Sequence, residues 1–229
     1  MPSKQLIQVR VLDAGPNNKG LKMNETSKAL IRRLQDARFV STYFKGDGID
    51  IGAGPDPLIK YGQQFPGMIS LKVWDMPDGD AQKMESVADN SYDFVHSSHC
   101  LEHLHDPYEA FDNWIRICKP GGHIITTIPD EDLYEQGVWP SNHNPDHKTS
   151  WTLLKQESWS PASINLIEFL YQFRDKIEVL KAELVNASFI YDTKRYDQTY
   201  HSISECAIEF IVRKKTSEEI LRKGRLPKQ

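Results

Sequence analysis

Apolar residues recur along the chain at two alternating spacings. Ala29, Leu30, Arg33, Leu34 and Ala37 follow Asn24, a capping residue type, at helical intervals and predict a helix. Residues 48–51 then read as a short buried strand, with a helix expected from about Pro57. Two more strands are expected at 69–74 and 92–97. The clearest helix is 107–118: Asp106 can cap it, Pro107 fits its first position, and Glu109 stands where a capping box wants an acid. Phe111, Trp114, Ile115 and Cys118 share one face of it. Lys119-Pro120-Gly121-Gly122 should break that helix before a strand at 123–128. Strand, helix and strand in alternation predict a parallel sheet with helices on both faces.

The rest of the chain is patterned differently. Ser160-Pro161 should open a helix carrying Ile164, Leu166, Ile167, Leu170, Tyr171 and Phe173. Strand-like runs near 183–191 and 205–213 are expected to pair antiparallel at one edge of the sheet. Residues 1–23 read as a loose arm, 24–215 as one domain and 216–229 as a charged tail that is frayed or helical. Composition narrows the class. The 229 residues amount to about 1.5 nominal domains. At 39% hydrophobic and 26% charged, the chain is an ordinary globular one. A net charge of −4 disfavours a dedicated nucleic-acid binder. Cys100, Cys118 and Cys206 form no CxxC pair, so reduced thiols in a cytoplasmic protein are expected. The start has no signal-peptide core, and no apolar run approaches the roughly 20 residues of a bilayer span.

The main chemical signal is Gly48-Ile49-Asp50-Ile51-Gly52-Ala53-Gly54-Pro55-Asp56-Pro57. A strand ends in an acid and turns through two glycines, which lets backbone approach a ligand. A plain tight turn is the bland alternative. A dinucleotide fingerprint wants a further glycine where Pro57 stands, and Asp50 would repel pyrophosphate. The acid suits a cationic, phosphate-free ligand such as S-adenosylmethionine. Asp75, expected at the end of the second strand, could accept both ribose hydroxyls. Asp80, in Gly79-Asp80-Ala81-Gln82 and expected one strand later, could accept the adenine amino group.

Here the chain resembles class I S-adenosylmethionine-dependent methyltransferases, in particular the large Methyltransf_11-like group. The resemblance runs through DIGAG (50–54), GDAQ (79–82), DNSYDFVHSSHCLEHLHDP (89–107) and KPGGHIITTIPD (119–130). It implies an α/β fold: a Rossmann-like three-layer sandwich with a mostly parallel seven-stranded sheet and an antiparallel C-terminal strand. By position it implies that Asp50, Gly52 and Gly54 line the methionine and ribose side. Asp75 would take the ribose hydroxyls, Met76 would pack on the adenine, and Asp80 and Ala81 would hold its edge. Ser98 and His99 would lie along the cofactor toward the transferred methyl. Asp56 replaces the family's usual third glycine and is expected to tune how the loop closes over the methionine end.

The acceptor class is read from the residues at and beyond the strand expected at 92–97. The Asn/Asp-Pro-Pro-aromatic tetrad of base-amine methylation is missing, since Ser97-Ser98-His99-Cys100 stands there, and no Pro-Cys nucleophile is present. The acceptor-side loop, about 130–160, is dense in acids, histidines and tryptophans, as suits a sugar hydroxyl, though a solvated lid is the plain alternative. His147 is the first choice for a base, oriented by the adjacent Asp146, with His99, His143 and Asp130 as rivals. His96 and His103 are read as structural. No metal site is assigned, although Asp130, Glu131, Asp132, His143 and His147 keep a Mg²⁺ reading open. Tyr43-Phe44 with the glycine loop, Pro129-Asp130-Glu131-Asp132 and Asp146-His147-Lys148 resemble methyltransferases associated with bacterial surface-polysaccharide assembly. That likeness implies a hydroxyl of a sugar nucleotide or glycan. Small-molecule N- or C-methylation and a non-catalytic cofactor-binding module are the other classes open, and a homodimer is left open.

Overall fold

The computed structural model describes residues 25–227. The expected arm, 1–23, and the Asn24 cap lie outside them. Eight strands form: β1 (Gly46–Ile51), β2 (Met68–Trp74), β3 (Tyr92–Ser98), β4 (Cys118–Pro129), β5 (Ser150–Thr152), β6 (Ser163–Asn165), β7 (Ile177–Val185) and β8 (Ala207–Lys214). Six of them make the central sheet in the order β2-β1-β3-β4-β8-β7, while β5 and β6 pair separately. The first four are parallel. β8 runs antiparallel to both β4 and β7. The architecture is Rossmann-like α/β with a mostly parallel sheet, as the motifs imply, but the sheet has six strands rather than seven. Residues 79–91, where an outer strand would carry Asp80, form turns beyond a short helical turn at 76–78. This stretch, Gly79 to Ser91, has no alternating apolar run to bury.

Successive residues of each strand feed opposite faces of the sheet. Val95, Ile124, Phe210 and Val212 join one core with Phe111 and Trp114 of α2 (Pro107–Ile117) and Phe169 of α3 (Leu166–Gln172). Phe94, Ile125 and Ile211 join the other, with Phe39, Phe44 and Phe65. α2 starts as the sequence predicts, the Asp106 carboxylate accepting the N–H groups of Tyr108 and Glu109. Glu109 makes no capping box; it accepts from the Gln82 amide. The Lys119–Gly122 segment lies inside β4, not in a loop, with Gly121 at φ +83° in an irregular stretch of the ladder. The helix expected at Pro57 is a 3₁₀ helix, Leu58–Gln64, and the helix expected from Ser160 is preceded by β6. The edge pair of strands exists, with its first member at 177–185. The charged tail forms a short helix, α4 (Ser217–Arg222), behind a Thr216–Glu219 capping box.

α1 (Glu25–Gln35) docks on the sheet through charge as well as apolar contact. Arg33 is fully buried, its guanidinium donating to Glu209 of β8 at 2.9 Å and to Thr127 Oγ1 at 3.1 Å, and lying 3.0 Å from His96 Nε2. Burial pushes the Glu209 carboxyl up, but Arg33, Arg32 and Lys181 outweigh that and hold it below the carboxylate range. Removing one member of such a pair strands a buried charge. Glu209→Gln is therefore expected to cost about 3–5 kcal/mol in urea unfolding at pH 7. Glu209 stabilises the fold only while ionised, so the gap between wild type and variant should close as pH falls below about 4. A gap unchanged at low pH would contradict the assignment.

Candidate active site

The glycine loop joins β1 to the 3₁₀ helix at 58–64 and is stitched to the end of β2. Gly52 and Ala53 donate to the Trp74 carbonyl at 2.9 and 3.3 Å, and the Gly54 N–H donates to Asp75 Oδ2 at 3.0 Å. Gly52 adopts φ +67°, and a Cβ there would lie 2.5 Å from the Cys100 side chain. Only glycine satisfies both conditions. Asp56 is no longer a free departure from the family pattern. It accepts the Ser27 N–H at 2.8 Å and the Tyr61 hydroxyl at 2.5 Å, clipping the start of α1 onto the loop.

Two cavities open at the carboxyl ends of β1, β2 and β3. One, of about 600 Å³, is lined by Gly52, Asp75, Met76, Asp80, Ala81 and Cys100 among others. The second, about 380 Å³, lies between the glycine loop, Glu25 and Thr26 of α1, and Glu102, Tyr134 and His147. Gly52, His99 and His103 line both. Residues predicted for the cofactor thus gather along one cleft: Gly52, Gly54, Asp75, Met76, Asp80, Ala81, Ser98 and His99. Asp50 does not. It is buried in β1, with Oδ1 2.6 Å from His96 Nδ1 and Oδ2 accepting the Leu58 N–H at 2.7 Å. Its carboxylate serves the sheet, not the cleft, and His96 is the packed residue expected. Asp80 lies on a loop rather than at a strand end, with Oδ1 accepting the Gln82 N–H.

At the smaller cavity the predicted histidines separate. His147 is buried, and its Nδ1 lies 2.6 Å from Glu135 Oε1. A carboxylate only accepts, so the Nδ1 proton sits in this bond and the ring turns Nε2 toward Glu102, 4.0 Å from Oε1. Asp146, expected to orient His147, instead meets His103 Nδ1 at 3.0 Å. His99 stands at φ +55°, its N–H held by the Thr127 carbonyl, with Nδ1 3.4 Å from Glu102 and Nε2 3.8 Å from Glu25. Burial works against its charged form, yet Glu102 and Glu25 outweigh that and raise its pKa. Glu102 is fully buried; burial is outweighed by His99, His103 and His147, which keep the carboxyl below its ordinary pKa. His143 packs its ring edge-on to Tyr134 and lines neither cavity.

Asp130 lines neither cavity and is a capping residue, accepting from Asp132 and Leu133 at the start of the π-helical turn 131–135. Glu131 is buried against Lys155, Ser158 and Ser150, and Asp132 holds Trp159 and Lys155. The Mg²⁺ set is thereby dispersed into structural contacts. Sequence reasoning missed Glu102 and Glu135 and set His103 aside. The signal available was an acid between two histidines in His99-Cys100-Leu101-Glu102-His103.

A family model described as a methyltransferase domain matches residues 10–169, and the chain belongs to that family. Its methyl donor is S-adenosylmethionine, and the protein is a class I methyltransferase. No curated protein matches the sequence. Solved structures share the fold. An S-adenosylmethionine-dependent methyltransferase from Mesorhizobium loti is 12% identical over 81% of this chain and 97% of its own, at TM-score 0.52. A complex of the Haloferax volcanii Trm112 methyltransferase activator with a candidate methyltransferase gives 16% identity, 82% and 90% coverage and TM-score 0.56. A candidate methyltransferase from Bacillus halodurans C-125 gives 14%, 82% and 99%, and 0.54.

Burial lifts the Asp130 carboxyl to about 7, against the backbone N–H bonds it accepts. Between pH 4 and 7 the unfolded chain ionises this group while the folded chain keeps it protonated, so stability falls as pH rises. Asp130→Asn keeps a capping acceptor and should remove that fall. Urea midpoints of both proteins between pH 4 and 8 check it: parallel curves would contradict the expectation.

Proposed function

We propose that the chain transfers the methyl group of S-adenosylmethionine to an oxygen, a hydroxyl of a sugar, sugar nucleotide or glycan. The cofactor's adenosine occupies the larger cavity, with Asp75 accepting from the ribose, Met76 and Ala81 against the adenine and Asp80 at its edge. Gly52 and Gly54 let the backbone approach the ribose and methionine. Ser98 and His99, where the cavities meet, flank the methyl. The acidic lining of Asp75, Asp80, Asp56 and Glu25 suits a ligand carrying sulfonium and ammonium charge and no phosphate.

Methyl transfer from a sulfonium is an in-line displacement, so positioning carries much of the rate. An aliphatic hydroxyl must also be ionised as it attacks. The observation that carries the reading is the buried Glu135–His147 pair: it occupies Nδ1 and presents Nε2, the nitrogen that takes a proton in the neutral ring, beside Glu102 in the smaller cavity. A free amine or a thiolate attacks without such a group, whereas a hydroxyl, far less acidic, depends on one. Tyr134, Asn144 and His147 are what the polar 130–160 segment brings to the smaller cavity, and their hydrogen-bonding groups suit a hydroxyl-rich acceptor.

His147→Ala should retain cofactor affinity and lower turnover by about 10²-fold or more. An unchanged rate would remove His147 from the reaction. Asp75→Ala should weaken cofactor binding about tenfold or more in calorimetric titration, and equal affinity would remove its ribose role. For the acceptor, the protein is incubated with labelled cofactor and a panel of sugar nucleotides. Label on a sugar oxygen is expected; label on an amine or a protein would overturn the acceptor class.

A further inference from the structure

Glu102, His103 and His147 present a carboxylate and two imidazoles to one point, and among the described residues they alone form such a group. One ligand atom from each lies within 4.8 Å of the other two. His103 Nε2 is 3.8 Å and His147 Nε2 4.0 Å from Glu102 Oε1. Both carboxylate oxygens of Glu102 are shut off from solvent without a hydrogen-bond partner, at the wall of the smaller cavity. A buried carboxylate is costly unless positive charge faces it; His99 Nδ1, 3.4 Å from Oε1, faces it on one side, and an ion held with His103 and His147 would do so on the other.

The second ring nitrogens strengthen the case independently. His147 Nδ1 is held by Glu135 and His103 Nδ1 by Asp146, both carboxylates. Each imidazole is thus oriented with Nε2, the nitrogen that ligates in the neutral ring, toward Glu102. Carboxylate–histidine pairs of this kind orient and strengthen metal-ligating histidines.

We propose that Glu102, His103 and His147 form a site for a divalent transition-metal ion, zinc by the chemistry of the donors, at the acceptor end of the cleft. Two imidazoles and one carboxylate leave a coordination position open. Donors about 2.1 Å from a common centre in a tetrahedral set are about 3.4 Å apart, so side-chain movements of about an ångström would close the set. The inference rests on the methyltransferase function proposed for this cleft and specifies how His147 acts there, as a ligand. The acceptor hydroxyl takes the open position, which makes it more acidic, and its proton passes to water. Its oxygen lone pair then forms the O–CH₃ bond as the S–CH₃ bond breaks, and that electron pair stays on sulfur.

The test titrates Zn²⁺ and Co²⁺ into the chelator-stripped full chain by calorimetry and Co²⁺ visible absorption. Methyl transfer is then followed with EDTA and after restoring Zn²⁺. One ion per chain is expected, with affinity weakened about 100-fold or more in His103→Ala and about 10- to 100-fold in Glu135→Gln. S-adenosylmethionine titration of each variant reports that it is folded. Turnover should fall with EDTA and return with the ion. No stoichiometric binding, or equal affinity in His103→Ala, overturns the site. Full turnover in EDTA with His147→Ala still slow overturns the ion's role and leaves the hydroxyl reading standing. Ion binding lost in His103→Ala, with no hydroxyl acceptor methylated, supports the site and overturns that reading instead.

Discussion

A line of buried charge holds α1 against the sheet, and the cleft depends on it. Asp50 of β1 meets His96 of β3, His96 meets Arg33 of α1, and Arg33 meets Glu209 of β8. All four side chains are shut off from water. Such a chain contributes little net stability over an apolar alternative but penalises every arrangement that leaves one member unpaired. It places α1 in one register over the strand ends. Glu25 and Thr26, at the start of that helix, then form a wall of the smaller cavity, and the Asp56–Ser27 bond joins the same helix to the glycine loop.

The cleft this creates is acidic on the donor side and rich in imidazole on the other. Glu102 stands at the boundary, facing His99, His103 and His147 at once. A single buried carboxylate thereby touches the surroundings of three histidines and, with Glu25, favours the charged form of His99. In the proposed reaction the donor's positive charge and the acceptor's proton would meet neighbouring groups rather than separate sites.

Local rules were the legible part. α2 is readable because Asp106, Pro107 and the apolar face all act within one helix, and the glycine loop because Gly52 and Gly54 answer a backbone requirement. Asp50 was misread because its partner, His96, is 46 residues away. Asp146 was assigned to His147 by adjacency, but the rings choose partners by fold: Asp146 turns to His103, and Glu135, 12 residues before His147, takes that role. The seventh strand was inherited from the resemblance, while residues 79–91 lack the apolar alternation to form it. Among the four candidate bases, only His147 and His99 line the cleft; Asp130 and His143 satisfy local packing and capping needs.

Because β8 runs against its neighbours, its first residue, Ala207, stands opposite Pro129, the last of β4. The connection 186–206 is thereby delivered to the same rim as the 130–160 segment, and Thr199 reaches the smaller cavity. Residues before 105 line most of both cavities; to the smaller one the first later excursion adds Tyr134, Asn144 and His147, and the second adds Thr199. The reversed strand thereby returns the last part of the chain to a cleft whose other walls come mostly from its first half.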